Sequence, residues 1–253
     1  MAQAKNTIKS IDKTLSIVEC LDELGQCGVT EIAEYLGFSK GTVHHHLSTL
    51  EDHEYVVKEG SKYSLSLKLF EMGIETRQRT EVYSIAKEDI DELAAETGEM
   101  ANLMVEEHGR GVYLYISRGE KAVQLDTKMG TRQYLHTSAL GKSMLAYMPD
   151  RRYEEIIQQH GLPAETPNTV TEREVLETEL EEIRAQGVAF DGEERAQGIR
   201  CVAAPITSNQ GRLIGAVSVS GPSTRMKGDR LKQEIPEMVK DTATVIGLNV
   251  SYS

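Results

Sequence analysis

The first part of the fold is decided by the stretch Ser39-Lys40-Gly41-Thr42-Val43-His44-His45-His46-Leu47-Ser48-Thr49-Leu50. Val43, Leu47 and Leu50 recur at the spacing of one helix face, which predicts a helix capped by Ser39 and running to about Asp52. The opposite face is small or hydrogen-bonding and holds no acidic residue: Gly41, Thr42, His45, Ser48 and Thr49, with His44 beside them. Such a face can approach a DNA major groove closely and reach base edges or phosphates.

The flanking segments fit a winged helix-turn-helix. A short helical pattern ends at Gly37, which can take the left-handed conformation of a tight turn. Two strand-like runs, 55–58 and 62–65, surround Glu59-Gly60-Ser61 and predict a hairpin, the wing. The predicted DNA-binding residues on the helix and the wing are Ser39, Lys40, Gly41, Thr42, His44, His45, Ser48, Thr49, Lys58, Lys62 and Tyr63.

Two alternative interpretations of this region remain open. Residues 1–68 could form a small helical subdomain for protein contacts, because helix-turn-helix patterns alone give many false positives. The run His44-His45-His46 could also indicate a metal site. Consecutive helix positions point about 100° apart, however, so these imidazoles cannot chelate one ion together.

A further stripe of Ile8, Ile11, Leu15, Val18 and Leu21 predicts the buried face of a first helix.

Composition and charge limit the class of protein that this sequence can be. The chain has 253 residues, three sparse cysteines and no apolar run of the roughly 20 residues that a membrane span needs. We therefore expect a cytoplasmic protein with no membrane partner and no cofactor. The net charge is −12, and residues 1–68 hold seven Lys against ten Asp or Glu. This acidity opposes DNA binding at low ionic strength, so it predicts a salty cytoplasm, as in haloarchaea.

The rest of the chain mixes strands and helices. We expect residues 1–68 to form the winged domain, 69–84 a helical linker, and 85–253 an α+β domain. An apolar stripe over residues 82–94, which begins at the end of the linker, is expected to contribute to oligomer formation. Predicted strands cover 100–106, 111–117, 122–125, 188–190, 200–207 and 212–220. Predicted helices cover 136–148, 171–186 and 231–248, and the second of these is expected to begin with a capping box at Thr171.

Polar residues on these strands predict a small-molecule site. Ser218 and Ser220 share one strand face, Cys201 lies on the preceding strand, and Asp191 ends the strand before that. The same residues could instead face solvent or cap loops. Cys201, His136 and Asp191 could be drawn as a nucleophile, a base and an orienting group. Cys201 sits in an apolar run, however, and no common enzyme motif is present, so we expect no enzyme.

Several segments, taken in order, resemble the IclR family of bacterial and archaeal regulators. Val188 departs mildly from that pattern, where an aromatic residue is usual. The similar segments are Lys40-Gly41-Thr42-Val43, Tyr63-Ser64-Leu65, Leu135-His136-Thr137-Ser138-Ala139-Leu140-Gly141-Lys142, residues 184–194 from Arg184 through Asp191 to Glu194, Gly198-Ile199-Arg200-Cys201-Val202-Ala203-Ala204-Pro205-Ile206 and Ala216-Val217-Ser218-Val219-Ser220-Gly221-Pro222.

The resemblance implies a winged helix-turn-helix followed by a GAF-like effector domain. It also implies a homo-oligomer, a dimer or a dimer of dimers, on a roughly palindromic double-stranded DNA operator. The effector-binding residues that it implies are Ala139, Leu140, Asp191, Cys201, Ser218 and Ser220. Amides at a helix start favour an anion, and Asp191 would accept from a hydroxyl, so a small hydroxy acid, keto acid or sugar acid is expected. An enzyme using Cys201 and a metal-responsive or redox-responsive regulator are the alternatives.

Overall fold

A computed structural model describes residues 7–123 and 127–253. Contacts between residues divide the chain into two compact units, one ending at Arg79 and one formed by Thr80–Ser253. The domain bounds drawn from the sequence, with a linker over 69–84, stay a prediction. No helix within the described ranges is long and apolar enough to cross a bilayer.

The first unit is a winged helix-turn-helix, as the sequence predicts. Val43, Leu47 and Leu50 pack in its core with Ile17 and Ile32. A three-stranded antiparallel sheet in the order β1-β3-β2 forms the wing. The elements are α1 (Lys9–Leu24), β1 (Cys27–Gly28), α2 (Val29–Leu36), α3 (Lys40–Asp52), β2 (Val56–Glu59), β3 (Lys62–Leu65) and α4 (Leu67–Gln78).

The predicted buried face of α1 is wrong over its first two turns. Ile8, Ile11 and Leu15 are each more than half exposed, whereas Ile17 and Leu21 are buried. α1 contributes Ile17, Cys20 and Leu21 to the core that it forms with α2 and α3, so the buried face follows these contacts and not the longest apolar stripe. An apolar strip on α1 therefore stays exposed in the single chain.

The second unit is built on a six-stranded antiparallel sheet in the order β6-β5-β4-β9-β8-β7. The predicted strands over 100–106, 111–117, 188–190, 200–207 and 212–220 are confirmed, and α7 and β6 are additional. Its elements are α5 (Glu81–Thr97), β4 (Met100–Glu107), β5 (Arg110–Arg118), β6 (Arg132–Tyr134), a 3₁₀ turn (Leu135–Thr137), α6 (Ala139–Tyr147), α7 (Asp150–His160), α8 (Arg173–Gln186), β7 (Ala189–Gly192), β8 (Ile199–Thr207), β9 (Leu213–Pro222), a π-helical turn (Arg230–Glu234) and α9 (Ile235–Tyr252).

The sheet buries both faces. Alternate strand residues point to opposite sides, so each strand contributes to two cores. On one side, Leu103, Val217 and Val219 pack against α5 and α9. On the other side, Met104 and Ala216 pack against α6 and α8.

The apolar stripe of residues 82–94 belongs to the first of these cores. Val82, Ala86, Ile90 and Leu93 are buried against the sheet and α9. The expectation that this stripe contributes to oligomer formation is therefore wrong, because the sheet of the same chain already covers it.

Local details differ from the sequence-based expectations. The strand expected over 122–125 is absent at Ala122 and Val123, and its remainder lies outside the described residues. α8 follows Glu172 at its N-cap, without a side-chain cap, so the predicted capping box at Thr171 is wrong. Ser138 caps α6 with its side chain, which shortens the helix that was expected from His136.

Candidate functional site

The third helix presents the polar face that the sequence predicts. Gly37 takes the left-handed conformation at φ 68°, and the Ser39 hydroxyl accepts from the Thr42 amide at 3.1 Å. Lys40, Gly41, His44, His45 and Thr49 are exposed, and Thr42 and Ser48 are partly buried. Both the turn geometry and the cap therefore fix where α3 begins, and its free face carries residues that the sequence predicts to contact DNA.

His46 and Tyr63 hold the first unit together. A hydrogen bond of 2.8 Å joins His46 Nδ1 to Thr14 Oγ1 on α1. Tyr63 is buried in the core, and the Lys58 ammonium lies 5.3 Å from its ring centroid. This burial is a correction to the predicted contact of Tyr63 with DNA. The two wing lysines, Lys58 and Lys62, remain exposed.

The predicted effector residues of the sheet come together on three adjacent strands. Asp191 on β7 lies directly opposite Cys201 on β8, and Cys201 lies opposite Ser220 on β9. Ser218 is two residues from Ser220 on the same face. Cys201 is partly buried, and Asp191, Ser218 and Ser220 are buried. The alternative in which these residues face solvent is therefore wrong, and they form one polar row beneath α6.

The start of α6 packs against this row. Ala139 and Leu140 are buried in the same core as Ala189, Ala203 and Ala216, the apolar neighbours of the row. The hydroxyl of Ser138 accepts from the Gly141 amide at 3.2 Å. The amides of Ala139 and Leu140 precede the first intrahelical hydrogen bond, so they point out of the helix end as donors. This geometry suits a bound anion.

Asp191 is held by the turn that follows β7. Its Oδ1 accepts from the Glu194 amide at 2.7 Å. Burial raises the pKa of Asp191 to about 6, and hydrogen bonds from the backbone amides of Glu194 and Arg195 oppose the shift. At neutral pH the carboxylate is therefore ionised but close to protonation.

A buried ion pair connects that turn to α6, and the sequence analysis missed it. Lys142 Nζ lies 2.7 Å from Glu194 Oε1 and 2.8 Å from Glu179 Oε2. The Lys142 side chain is only 3% exposed and that of Glu194 only 9%. Because an unpaired buried charge is strongly unfavourable, this pair fixes α6 against the Asp191 turn. A lysine inside the apolar segment Ala139–Ala146 is the signal that could have revealed it.

A second missed group extends the polar row toward Arg195. The Gln133 amide donates to Ser138 Oγ at 2.6 Å, and its Oε1 accepts from Arg195 Nε at 3.1 Å. The Tyr113 hydroxyl also donates to that Oε1 at 3.4 Å. This network places the half-buried guanidinium of Arg195 close to the start of α6.

The geometry does not support a catalytic triad. Burial and the neighbouring Asp191 raise the pKa of the Cys201 thiol well above its ordinary value, so the thiolate that a nucleophile needs is disfavoured. His136 Nε2 lies 2.9 Å from the Pro163 carbonyl oxygen and is occupied by that hydrogen bond. Across the described residues, no group of three or more His, Cys, Asp or Glu side chains is arranged to hold a metal ion.

Comparison with known proteins covers both units. A family model described as IclR helix-turn-helix domain matches residues 10–60, and one described as Bacterial transcriptional regulator IclR C-terminal matches residues 74–248. The chain belongs to the IclR family. Its relatives in that family are transcriptional regulators and not enzymes, so the chain is a DNA-binding regulator with a C-terminal ligand-binding domain.

Individual relatives agree with this assignment. The Probable HTH-type transcriptional regulator ArcR of Halobacterium salinarum is 32% identical over 243 residues, covering 94% of this chain and 92% of ArcR. The HTH-type transcriptional regulator KdgR of Escherichia coli is 31% identical over 249 residues, covering 98% and 94%. The crystal structure of Thermotoga maritima IclR superposes with a TM-score of 0.80 at 29% identity, covering 97% of this chain and all of that one.

Proposed function

We propose that this regulator senses a small organic acid that carries at least one hydroxyl or keto group. The observation that carries the proposal is the buried row of Asp191, Cys201 and Ser220 opposite the amides of Ala139 and Leu140. The amides would hold the carboxylate, and Asp191 would accept from a hydroxyl. A site with donors at one end and a carboxylate at the other distinguishes the two ends of a hydroxy acid.

Charge around the row supports an anionic effector. Arg195 is bound to Gln133 at the α6 end, and its nearest carboxylate, that of Glu165, is 3.8 Å away. Lys142 is already neutralised by Glu179 and Glu194. Arg195 is thus less completely neutralised than Lys142, and Ser218 adds a hydroxyl to the polar row.

Effector affinity should depend on the protonation of Asp191. The pKa of Asp191 lies at about 6 in the free protein. A bound hydroxyl donor stabilises the ionised form, so affinity should fall roughly tenfold per pH unit below about pH 6 and level off above it. Calorimetric titration of gluconate between about pH 5 and pH 7.5 measures this, because the acid itself stays ionised there.

Asp191→Asn is the matched variant, since it keeps the shape and loses the titration. Its gluconate affinity should be weak and flat with pH. An inflection near pH 6 that persists in Asp191→Asn would assign the titration to another group and contradict the role of Asp191.

The stability of the free protein should change with pH in the direction opposite to effector affinity. Because the pKa of Asp191 is raised in the folded protein, the free energy of unfolding falls as pH rises from 3.8 to about 6.

We infer that α3 reads the operator through Thr42 and His45. Both lie on the free face opposite the buried Val43 and Leu47. The double variant Thr42→Ala, His45→Ala should lose about 1–3 kcal/mol of discrimination per base contact between a selected duplex and random DNA. The neighbouring Ser39 cap should keep the helix intact. Fluorescence anisotropy with a duplex selected from a random library measures both affinities.

Lys62→Ala is the matched control on the wing. It should weaken the selected and the random duplex equally, as the loss of a phosphate contact does. Unchanged discrimination in the folded double variant would show that α3 does not read the bases.

We propose that the protein binds DNA as a symmetric homo-oligomer on a roughly palindromic site. The supporting surface is in the first unit: α4 has no buried residue, Leu67 is 83% exposed, and Phe70, Ile8 and Ile11 are also exposed. Apolar side chains in such numbers are expected to pack against a second copy. Sedimentation equilibrium should show a dimer or tetramer at micromolar concentration, and Leu67→Ser, Phe70→Ser should weaken it. A monomeric wild-type protein, free and on DNA, would refute the proposal.

We also propose that the chain acts in the cytoplasm, where a regulator meets the chromosome. Adaptation to a salty cytoplasm stays a prediction, supported by the net charge of −12. At high salt the repulsion between an acidic protein and DNA is screened over a few ångströms.

A further inference from the structure

Asn102 is a buried amide that the effector site described above does not yet use. It is the third residue of β4, directly opposite Ser218 on β9, and is 0% exposed. Its Nδ2 donates to Ser218 Oγ at 3.1 Å and to Ser220 Oγ at 3.2 Å. The amide is therefore fixed by the two serines of the polar row.

The carbonyl oxygen of the same side chain is unsatisfied. Asn102 Oδ1 is buried and has no hydrogen-bond partner among the residues that the structure describes. Exchanging Oδ1 and Nδ2 would not remove the problem, because it would leave two N–H hydrogens unpaired in place of one acceptor. A buried acceptor without a donor is unfavourable, and such atoms are rare in folded proteins.

Asn102 lies on the sheet face that packs against α6. Its neighbours Ala101 and Leu103 belong to the core beneath α5 and α9, whereas Met104, two residues on, belongs to the core beneath α6. Because alternate residues share a face, Asn102 and Met104 are on the α6 side. Its carbonyl therefore lies on the same face as Ser220, Cys201 and Asp191.

We propose that Asn102 is a specificity-determining residue of the effector site, whose Oδ1 accepts a hydrogen bond from a hydroxyl of the effector. The proposal rests on the effector site proposed above and narrows its ligand class. A hydroxyl supplies the missing donor, whereas a keto oxygen at that position would set two acceptors against each other. Ser218 and Ser220 act as positioning residues, because they hold the amide with its carbonyl free. The effector is accordingly a hydroxylated acid in preference to a keto acid.

A matched ligand series tests this at about pH 7.5. Propanoate, lactate and glycerate differ only in their hydroxyls, pyruvate carries a keto group, and gluconate extends the series. With the wild-type protein, calorimetry should show an affinity gain of about tenfold for at least one added hydroxyl, and weaker binding of pyruvate than of lactate. In Asn102→Leu the ratio of lactate or glycerate affinity to propanoate affinity should fall at least about threefold, because only Asp191 is then left to accept from a hydroxyl.

The thermal melt of the free Asn102→Leu protein separates recognition from a structural role. The variant removes an unsatisfied buried carbonyl and also the two hydrogen bonds that the amide donates to Ser218 and Ser220, so a melting temperature within about 4 °C of the wild type is expected. A hydroxyl gain of the same size in wild type and Asn102→Leu, or no gain in the wild type, would overturn this inference and leave the effector site intact. Absence of binding by every acid of the series at about 10 mM would mean that each affinity is weaker than millimolar. That result would overturn the proposed effector class and, with it, the role of Asn102.

Discussion

Replacing Lys142 by Met should lower the free energy of unfolding by about 3–5 kcal/mol. The substitution leaves Glu194 buried and without its cation, because Lys142 Nζ contacts both Glu194 oxygens, at 2.7 and 2.8 Å. Glu194 also supplies the amide that holds Asp191, so gluconate binding should weaken in the same variant. Urea unfolding followed by circular dichroism measures the loss.

The control for this prediction is an ion pair at the surface of the same unit. Lys87 and Asp91 form an i,i+4 pair on α5 whose side chains are 46% and 40% exposed. Lys87→Met should cost less than about 1 kcal/mol, since solvent screens the pair. Adding Glu194→Gln to Lys142→Met should recover part of the loss, because the uncompensated charge is removed. Equal losses for Lys142→Met and Lys87→Met would show that the buried pair does not stabilise the site.

Gly141→Ala should be the most damaging change at the start of α6. A Cβ at this position would lie 1.9 Å from the Leu135 carbonyl oxygen and 2.5 Å from its Cα. Both are backbone atoms, so no side-chain rotation relieves the contact and the helix start must move. We expect a loss of about 3 kcal/mol or more of unfolding free energy and of all measurable gluconate binding.

Gly192→Ala provides the comparison within the same unit and next to Asp191. Among the residues that the structure describes, a Cβ at Gly192 meets nothing within 4 Å. Alanine there should leave stability unchanged or raise it by up to about 1 kcal/mol. Unchanged stability and gluconate binding in Gly141→Ala would mean that α6 can move away from the 3₁₀ turn. That result would contradict a fixed position of the Ala139 and Leu140 amides.

The elements that the sequence predicted well are those fixed by local chemistry. Ser39 as a cap, Gly37 in the left-handed conformation and the buried Val43, Leu47 and Leu50 all follow from neighbours within a few residues. The face of α1 could not be predicted this way. Its burial depends on where α2 and α3 pack, and the first two turns of the apolar stripe are exposed instead.

In the effector site, too, some residues could be predicted from the sequence and others depend on long-range packing. Asp191, Cys201 and Ser220 could be grouped from the order of strands, since a hairpin places its two strands side by side. Lys142 and Glu194 are 52 residues apart, and their contact depends on how α6 docks on the sheet. Asn102 pairs with Ser218 across 116 residues, and the unsatisfied carbonyl is visible only once that pairing is known. Chemistry that arises from long-range packing is therefore what the sequence could not predict.

The coupling between effector and DNA in the intact protein tests directly whether the chain is an effector-responsive DNA-binding regulator. The affinity for a duplex selected from a random library should change at least about fivefold at saturating gluconate. Because the coupling is reciprocal, that duplex should change the gluconate affinity by the same factor, and the double variant Asp191→Ala, Ser220→Ala should show neither effect. An unchanged duplex affinity at saturating gluconate, or a selected duplex bound no more tightly than random DNA, would contradict a regulator that couples effector binding to sequence-specific DNA binding.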